Sequence, residues 1–496
     1  MFFALNYDSI NKKLLIMKKS ISYIMTGLVS LFVVSCASQQ ADKCSKGKSC
    51  IQSAPKQIQV SVDCSKQIGK IKALNGVNFG PKISSESAGS GSVFRKEFYD
   101  LNVHSVRTHD ISLQNPGLMI GDTDMIFPLF HADVNDPRNY IFKPTDDYLQ
   151  ISAKEGAKII FRLGVSIDHS KNKYRTWMPE PKKWAQICCN IIAHYNEGWA
   201  NGYKMGIEYW EIWNEPEVTN PDGGHLMWAG NLKQFNDFYC EVAKIIKKRF
   251  PNIKIGGPAH TSAYSKKLGY EFLKRASEAG APVDFYSWHY YGKDLKNLKE
   301  QVRIVRKWAD DLGFKNTELH LNEWHYKPMS WADLRGKNAK KDLMFGLEAG
   351  VFASSIMTLW QDEPLDVSNY YTYGPGGWGL VQNGGIIFKS YYPFKAFGEL
   401  VRYPNRLATT TSDEMNASVL AGRDSKGKTA ILVNVFKQGK SNVVVDLKNC
   451  TFDLTRAQVL ICDDDKNLEP ADNVKVYPSK LEIPVKSDSA CILIKL

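Results

Sequence analysis

The sequence predicts an α/β protein, a (β/α)₈ TIM barrel with a C-terminal antiparallel β-sandwich. Between about residues 70 and 395, short apolar runs alternate with amphipathic helical stretches. After residue 400, only short strands separated by turn residues follow. The 496 residues are 43% hydrophobic and 23% charged, an ordinary globular composition that excludes disorder, collagen-like repeats and a disulfide-dense small scaffold.

Eight apolar runs are the predicted barrel strands. Helices are predicted between them, for example over residues 182–195, 232–250 and 298–312, where apolar side chains recur every three or four positions. An open doubly wound sheet would normally show a glycine-rich phosphate turn, and residues 87–92 form only a weak glycine-serine loop. The alternation therefore favours a closed barrel. The predicted strands are 74–80, 105–110, 158–164, 209–216, 254–259, 285–292, 318–324 and 355–361.

Seven further strands are predicted after the barrel. Asp, Gly, Lys and Ser turns separate them, which is typical of an antiparallel β-sandwich. We expect the barrel over residues 58–398 and the sandwich over 399–496, with 58–63 as an alternative sandwich strand. The seven strands are 416–422, 429–436, 442–447, 457–462, 474–476, 480–485 and 490–496.

The N-terminal segment has the pattern of a targeting signal. Lys18 and Lys19 precede an apolar stretch over residues 24–34, which is too short to span a bilayer comfortably and ends at Cys36. This resembles a bacterial lipoprotein signal over residues 1–36 with Cys36 as the lipid-bearing residue; a plain signal peptide is the alternative. We expect a polar tether over residues 37–57 and a lipid anchor in the bacterial cell envelope, on the periplasmic or the outer-membrane surface.

Charge and cysteine content give little support to other partners. The formal net charge of +12 is spread along the chain, without a nucleic-acid motif or a clustered basic run. Cys44 and Cys50 can close a small loop in an oxidising compartment, but their spacing does not establish a disulfide. Zinc-ligand spacing is absent from the sequence, so we expect no metal and no organic cofactor.

Reactive side chains of a barrel lie at the carboxyl ends of its strands. Glu215 and Glu323 fall at the ends of the predicted fourth and seventh strands, so both are expected over one pocket. Acetal hydrolysis needs such a pair, with one carboxylic acid protonating the leaving oxygen and one carboxylate attacking the anomeric carbon. The sequence therefore predicts a catalytic glutamate pair.

The motifs at the strand ends resemble those of the clan A glycoside hydrolases, most closely glycoside hydrolase family 39. The resemblance rests on Trp213-Asn214-Glu215-Pro216, on Asn322-Glu323-Trp324, and on three further matches. These are Arg107-Thr108-His109, His289-Tyr290-Tyr291, and Gly376-Gly377-Trp378-Gly379-Leu380 followed by Lys389 and Tyr391-Tyr392-Pro393.

The resemblance implies a role for several of these residues. Glu215 corresponds to the acid/base and Glu323 to the nucleophile. Asn214, His109 and His289 are expected to bind sugar hydroxyls, and Tyr291 to orient Glu323, with core packing as the alternative for the rings. Arg107 is expected to keep Glu323 ionised, and Trp360 to offer an apolar face to the sugar, with a structural ion pair and core packing as the respective alternatives.

Three functions remain open at this point. The main hypothesis is a retaining O-glycoside hydrolase, exo-acting on plant-type oligosaccharides as a β-xylosidase does, with the loops 114–140 and 327–341 closing one end of the pocket. The alternatives are a uronic-acid-cleaving hydrolase of acidic glycans, as in the iduronidases, and a non-catalytic glycan-binding lipoprotein. The sequence leaves the sugar, the linkage, the anomeric configuration and the oligomeric state undetermined.

Overall fold

The computed structural model describes residues 55–81, 95–109, 120–154, 156–167, 176–219, 224–263, 265–374, 378–382 and 386–496. The predicted signal with Cys36, and the predicted tether up to residue 54, lie outside the described residues. So do the loop 87–92 and the first part of the loop 114–140.

Eight parallel strands close into a barrel, which confirms the predicted fold class. Each strand pairs with the next one along the chain, and β9 closes the ring by pairing with β2. The strands are β2 (Gly76–Asn78), β3 (Ser105–Arg107), β4 (Lys158–Leu163), β5 (Tyr209–Ile212), β6 (Lys254–His260), β7 (Phe285–Gly292), β8 (Glu318–Tyr326) and β9 (Val367–Tyr370).

Helices surround the barrel, and the caps in the sequence set where several of them begin. Glu180 accepts hydrogen bonds from two backbone amides of α4, and Asn231 forms a capping box with Gln234 at the start of α5. The described helices are α1 (Arg95–Asp100), α2 (Thr123–Ile126), α3 (Lys143–Lys154), α4 (Pro181–Asn196), α5 (Leu232–Arg249), α6 (Gly269–Ala279), α7 (Leu295–Asp311), α8 (Trp331–Arg335), α9 (Leu347–Leu359) and α10 (Tyr391–Val401).

The eighth barrel strand is not where the sequence predicts it. Residues 355–361 were expected to form that strand, but they belong to the end of α9 and a following 3₁₀ turn, and β9 begins only at Val367. Every residue from Ala349 to Leu359 is buried, because α9 packs between the barrel and the C-terminal sheet. A helix that is apolar on every side lacks the alternation of apolar and polar residues that identifies a helix in a sequence. Its sequence therefore resembles that of a buried strand.

The apolar stretch Lys341–Asp362 is long enough to cross a membrane, although 78% of its most apolar window is buried inside the fold.

The second part of the fold is a ten-stranded sheet, which confirms the predicted C-terminal antiparallel β-domain. Its pairs are antiparallel except for β1 and β15, which run parallel. Strand β1 lies between β12 and β15, so the first described strand of the chain belongs to this sheet and not to the barrel. The strands are β1 (Lys56–Lys70), β12 (Asn405–Thr411), β13 (Ala417–Arg423), β14 (Thr429–Val435), β15 (Ser441–Lys448), β16 (Gln458–Cys462), β17 (Asn467–Pro470), β18 (Lys475–Val476), β19 (Lys480–Val485) and β20 (Ala490–Lys495). Two short strands between the barrel and this sheet, β10 (Val381–Gln382) and β11 (Ile386–Ile387), pair with each other.

Two ion pairs lie at the amino end of β9, and the first of them connects this sheet to the barrel. Arg406 of β12 donates two hydrogen bonds of 2.7 Å to Asp362, and Arg303 of α7 donates two of 2.6 Å to the buried Glu363. Loops that precede the strands of a parallel barrel lie at its amino end. These two acids therefore support the fold at the end opposite to the strand termini that carry Glu215 and Glu323.

Gly398 is expected to be required by packing rather than by its own conformation. In the middle of a helix, alanine is normally more stable than glycine by about 1 kcal/mol. A Cβ atom on Gly398 would overlap the carbonyl oxygen of Leu101, a backbone atom. We expect Gly398→Ala to lower the free energy of unfolding by about 2 kcal/mol or more, measured by denaturant titration. Gly346→Ala, whose new Cβ meets its nearest atom at 3.4 Å, should stay close to the wild type.

Candidate active site

Glu215 lies on a tight turn that directly follows β5. Trp213 and Glu215 both have positive φ, 72° and 44°, a conformation that costs a non-glycine residue about 1–3 kcal/mol. Contacts on both sides hold the turn: the fully buried Trp213 ring packs edge-to-face on Trp228, and the Glu215 amide donates to the carbonyl of Ala259. The turn leaves the Glu215 side chain partly accessible, with 19% of its surface exposed.

Glu323 lies within β8, and its side chain is 7% exposed. Tyr291 Oη donates a hydrogen bond of 2.6 Å to Glu323 Oε1, and Arg107 Nη1 donates one of 3.0 Å to Oε2. Both contacts stabilise the ionised form of this carboxylate. The structure thus brings Tyr291 and Arg107 to the two oxygens of Glu323.

The two glutamates face each other across one small space. One ligand-type atom from each of Glu215, His289 and Glu323 lies within 4.8 Å of the other two. A retaining glycosidase has its carboxyl groups about 5–5.5 Å apart, whereas an inverting one needs about 6.5–9.5 Å. The separation is therefore in the short range, and both side chains belong to the same site.

Two histidines flank the pair. His289 Nδ1 lies 2.7 Å from Glu215 Oε1 and 3.6 Å from Glu323 Oε1. Burial lowers the pKa of His289 to about 4 although Glu323 opposes the shift, so the imidazole is neutral near pH 7. His109 accepts from Arg162 Nε at Nδ1, which leaves the proton on Nε2, 3.8 Å from Glu323 Oε2.

Asn214 is held by the same guanidinium as Glu323. Arg107 Nη2 donates a hydrogen bond of 2.7 Å to Asn214 Oδ1, and the Asn214 side chain is almost fully buried. Because its oxygen is an acceptor for Arg107, the Nδ2 group is the donor that Asn214 offers to a ligand.

Trp360 does not reach the site, and its predicted role as a sugar platform is wrong. Its indole is fully buried, packs edge-to-face on Trp324 at 5.2 Å and donates to the carbonyl of Leu298. The prediction placed Trp360 at the end of the eighth strand, but it lies in the 3₁₀ turn that precedes that strand. Core packing, the alternative for this residue, is what the structure shows.

Three other aromatic residues form a wall beside Glu323, and the sequence prediction missed them as site residues. Tyr371 directly follows β9, Trp331 begins α8, and Trp378 lies in the segment after Tyr371; their ring centroids lie 6.2, 5.3 and 5.5 Å from that of Tyr291. Trp331 remains 43% exposed. Trp331 lies in the loop 327–341, which was predicted to close the pocket, and this position could have identified it as a site residue.

A cation is disfavoured between the two glutamates, although they and His289 are of ligand type. The Arg107 guanidinium already lies 3.0 Å from Glu323 Oε2, and its positive charge opposes a second cation there. Hydrogen bonds from Tyr291 and Arg107 also occupy both Glu323 oxygens.

Comparison with known proteins agrees with the fold. The model of "Glycosyl hydrolases family 39" matches residues 103–331. The β-xylosidase of Geobacillus stearothermophilus is 25% identical in an alignment 321 residues long that covers 57% of this chain and 60% of that protein. The β-xylosidase of Caldicellulosiruptor saccharolyticus is 24% identical in an alignment 313 residues long that covers 55% of this chain and 61% of that protein. The matches thus span about three fifths of each relative.

A solved structure shows the same fold over nearly all of its length. The glucosidase from Croceicoccus marinus superposes with a TM-score of 0.72 at 21% identity, covering 88% of this chain and 98% of that chain. The match of the family 39 model and the similarity to two β-xylosidases agree with the resemblance to glycoside hydrolase family 39 seen in the strand-end motifs.

Buried neutral histidines should make the fold sensitive to acid. Burial lowers the pKa of His325 to about 4, as it does for His289, whereas an unfolded histidine titrates near 6.5. Below pH 6.5 the unfolded chain gains protons that the native state does not bind, so the free energy of unfolding falls as the pH drops towards 4. The loss is up to about 3 kcal/mol for each histidine. The measurement is the free energy of unfolding from urea titrations at pH 6.5 and at pH 4.5. Between these pH values the His325→Gln variant should lose less of it than the wild type does. The control variant His131→Gln, in which an exposed histidine is replaced, should lose as much as the wild type.

Proposed function

We propose that the protein is a retaining O-glycoside hydrolase that acts on plant-type oligosaccharides from the chain end, as a β-xylosidase does. The observation that carries the proposal is the short separation of Glu215 and Glu323 at the carboxyl ends of β5 and β8. The similarity to two β-xylosidases supports the choice of substrate class.

The proposed reaction is a double displacement. Two carboxyl groups this close do not readily ionise together, and the Arg107 hydrogen bond favours the charge on Glu323. Glu215 therefore carries the proton and gives it to the glycosidic oxygen while Glu323 attacks the anomeric carbon, forming a glycosyl ester and releasing the aglycone. Glu215, now ionised, then takes a proton from water, which attacks the anomeric carbon and frees Glu323.

The surrounding side chains supply binding and orientation. Asn214 Nδ2 is placed to donate to the sugar 2-hydroxyl, a contact that strengthens as the oxocarbenium ion forms. His109 Nε2 is placed to donate to another hydroxyl of the same sugar. Tyr291 fixes the direction of the attacking Glu323 oxygen through its hydrogen bond of 2.6 Å. In place of Trp360, the wall formed by Tyr371, Trp331 and Trp378 offers apolar ring faces to a sugar.

A xylosidase-like substrate is preferred to a uronic acid. Among the residues that the structure describes, the two buried arginines near the site are already paired with carboxylates, Arg107 with Glu211 and Glu323, and Arg162 with Asp122. To bind the carboxylate of an acidic sugar, the site would need a further cationic side chain that is not already in an ion pair.

A panel of aryl glycosides tests the activity. We expect release of the aryl group from β-xylosides above other sugars, and proton NMR should show the retained anomer as the first product. An inverted first product would contradict the double displacement. Glycan binding without release of reducing sugar would favour the non-catalytic alternative.

Substitution of the two glutamates tests their roles. Glu323→Ala should reduce turnover by about 10⁴-fold or more for every substrate, because no ester can form. Glu215→Ala should slow unactivated xylosides by about 10²–10⁴-fold while sparing the first step for aryl glycosides with good leaving groups. Equal losses for both substrate types in Glu215→Ala would contradict the acid/base assignment. Rates with aryl and natural leaving groups provide the measurement.

We further propose that the protein is lipid-anchored in a bacterial cell envelope through Cys36, which is supported by the sequence pattern of residues 18–36. In a bacterial host, radiolabelled palmitate should label the full chain, and the protein should sediment with membranes. Cys36→Ser should abolish the label, whereas Cys44→Ser should retain it. A label that persists in Cys36→Ser would contradict the anchor.

A further inference from the structure

Beneath the glutamate pair lies a third carboxylate, that of Glu211. Its side chain is fully buried inside the barrel. Glu211 Oε2 accepts a hydrogen bond of 2.7 Å from Arg107 Nε, and Oε1 accepts from Ser287 Oγ at 2.7 Å and from Asn322 Nδ2. Donors from β3, β7 and β8 thus converge on one carboxylate of β5.

Glu211 is an anion despite its burial. Burial alone would raise its pKa, but the charge of Arg107 and the hydrogen bonds from Ser287 and Arg107 outweigh it and lower the pKa below its ordinary value. The proposed function assigns no substrate contact to this residue.

Arg107 is shared between Glu211 and the site. Its Nε faces Glu211, its Nη1 donates to Glu323 and to Asn78 Oδ1 at 3.1 Å, and its Nη2 donates to Asn214. Since a guanidinium is planar, the bond at Nε fixes the directions of both Nη groups. A substitution of Glu211 would therefore change the hydrogen bonds of Arg107 to both Glu323 and Asn214.

We infer that Glu211 is a positioning residue that sets the plane of Arg107 and offsets part of its charge, and so tunes Glu323 as a nucleophile. The inference rests on the proposed function for its kinetic consequence. Without Glu211, the full charge of Arg107 would act on Glu323, and an overstabilised carboxylate is a weaker nucleophile. Glu211 thus keeps Glu323 ionised but reactive.

Glu211→Gln is the direct test, because it removes the charge and keeps the shape. Asn322 Oδ1 is buried without a hydrogen-bond partner in the described structure, so a flipped Asn322 amide can accept from the new amide group. The charged or ionisable groups that face Glu323 remain in place; they are Arg107, His109, Glu215, His289 and Tyr291.

Titration of Glu323 gives a readout that does not depend on turnover. In ¹³C NMR of protein labelled at the glutamate carboxyl carbons, with Glu323→Gln identifying the signal, Glu211→Gln should shift the Glu323 titration downward by about 1 pH unit. The acid limb of kcat/KM should move in the same direction, and kcat should fall about 10-fold or more while KM changes less. An unshifted titration in the folded variant would overturn the inference. A wild type without turnover would overturn the proposed function, and the NMR titration would still decide the role of Glu211.

Two further variants separate charge, position and general stability. Glu211→Asp keeps the charge but shortens the side chain, so kcat should fall with little shift of the titration; an unchanged kcat would overturn the inference even if Glu211→Gln fails to fold. Glu363→Gln removes another buried, arginine-paired carboxylate at the opposite end of the barrel. It should leave the Glu323 titration unshifted, and a shift of the same size would overturn the assignment to Glu211.

Discussion

The site depends on one buried cation. Arg107 contacts carboxylates or amides of four residues from three barrel strands or their ends, namely Asn78, Glu211, Asn214 and Glu323. Removing an ionic side chain from water is costly, and here the cost is offset by several short hydrogen bonds and by two anions. Because the partners come from distant parts of the chain, the interaction can form only when the barrel has closed.

Much of this arrangement could be predicted from the sequence. Hydrophobic periodicity identified seven of the eight barrel strands, and the position of Glu215 and Glu323 at strand ends predicted that they would lie over one pocket. The eighth strand was misplaced because α9 is buried on every side, so its sequence lacks the polar face that marks a helix. Trp360 was misassigned as a consequence of that error.

Other features depend on tertiary contacts that no local pattern records. Glu211 lies two residues before the Trp213-Asn214-Glu215 motif, yet its role becomes visible only through Arg107, Ser287 and Asn322 on three other strands. The aromatic wall likewise combines residues from two separate segments. Local sequence patterns predicted the positions of the strands and motifs, whereas the side-chain contacts between different barrel strands became known only from the structure.

The position of β1 has a consequence for how the chain matures. This strand precedes the barrel in the sequence, but both of its neighbours, β12 and β15, are synthesised only after the barrel strands. Until then the backbone donors and acceptors of β1 have no sheet partners. The first described strand therefore pairs with strands that follow the barrel, and this part of the sheet can form only after the barrel has been synthesised.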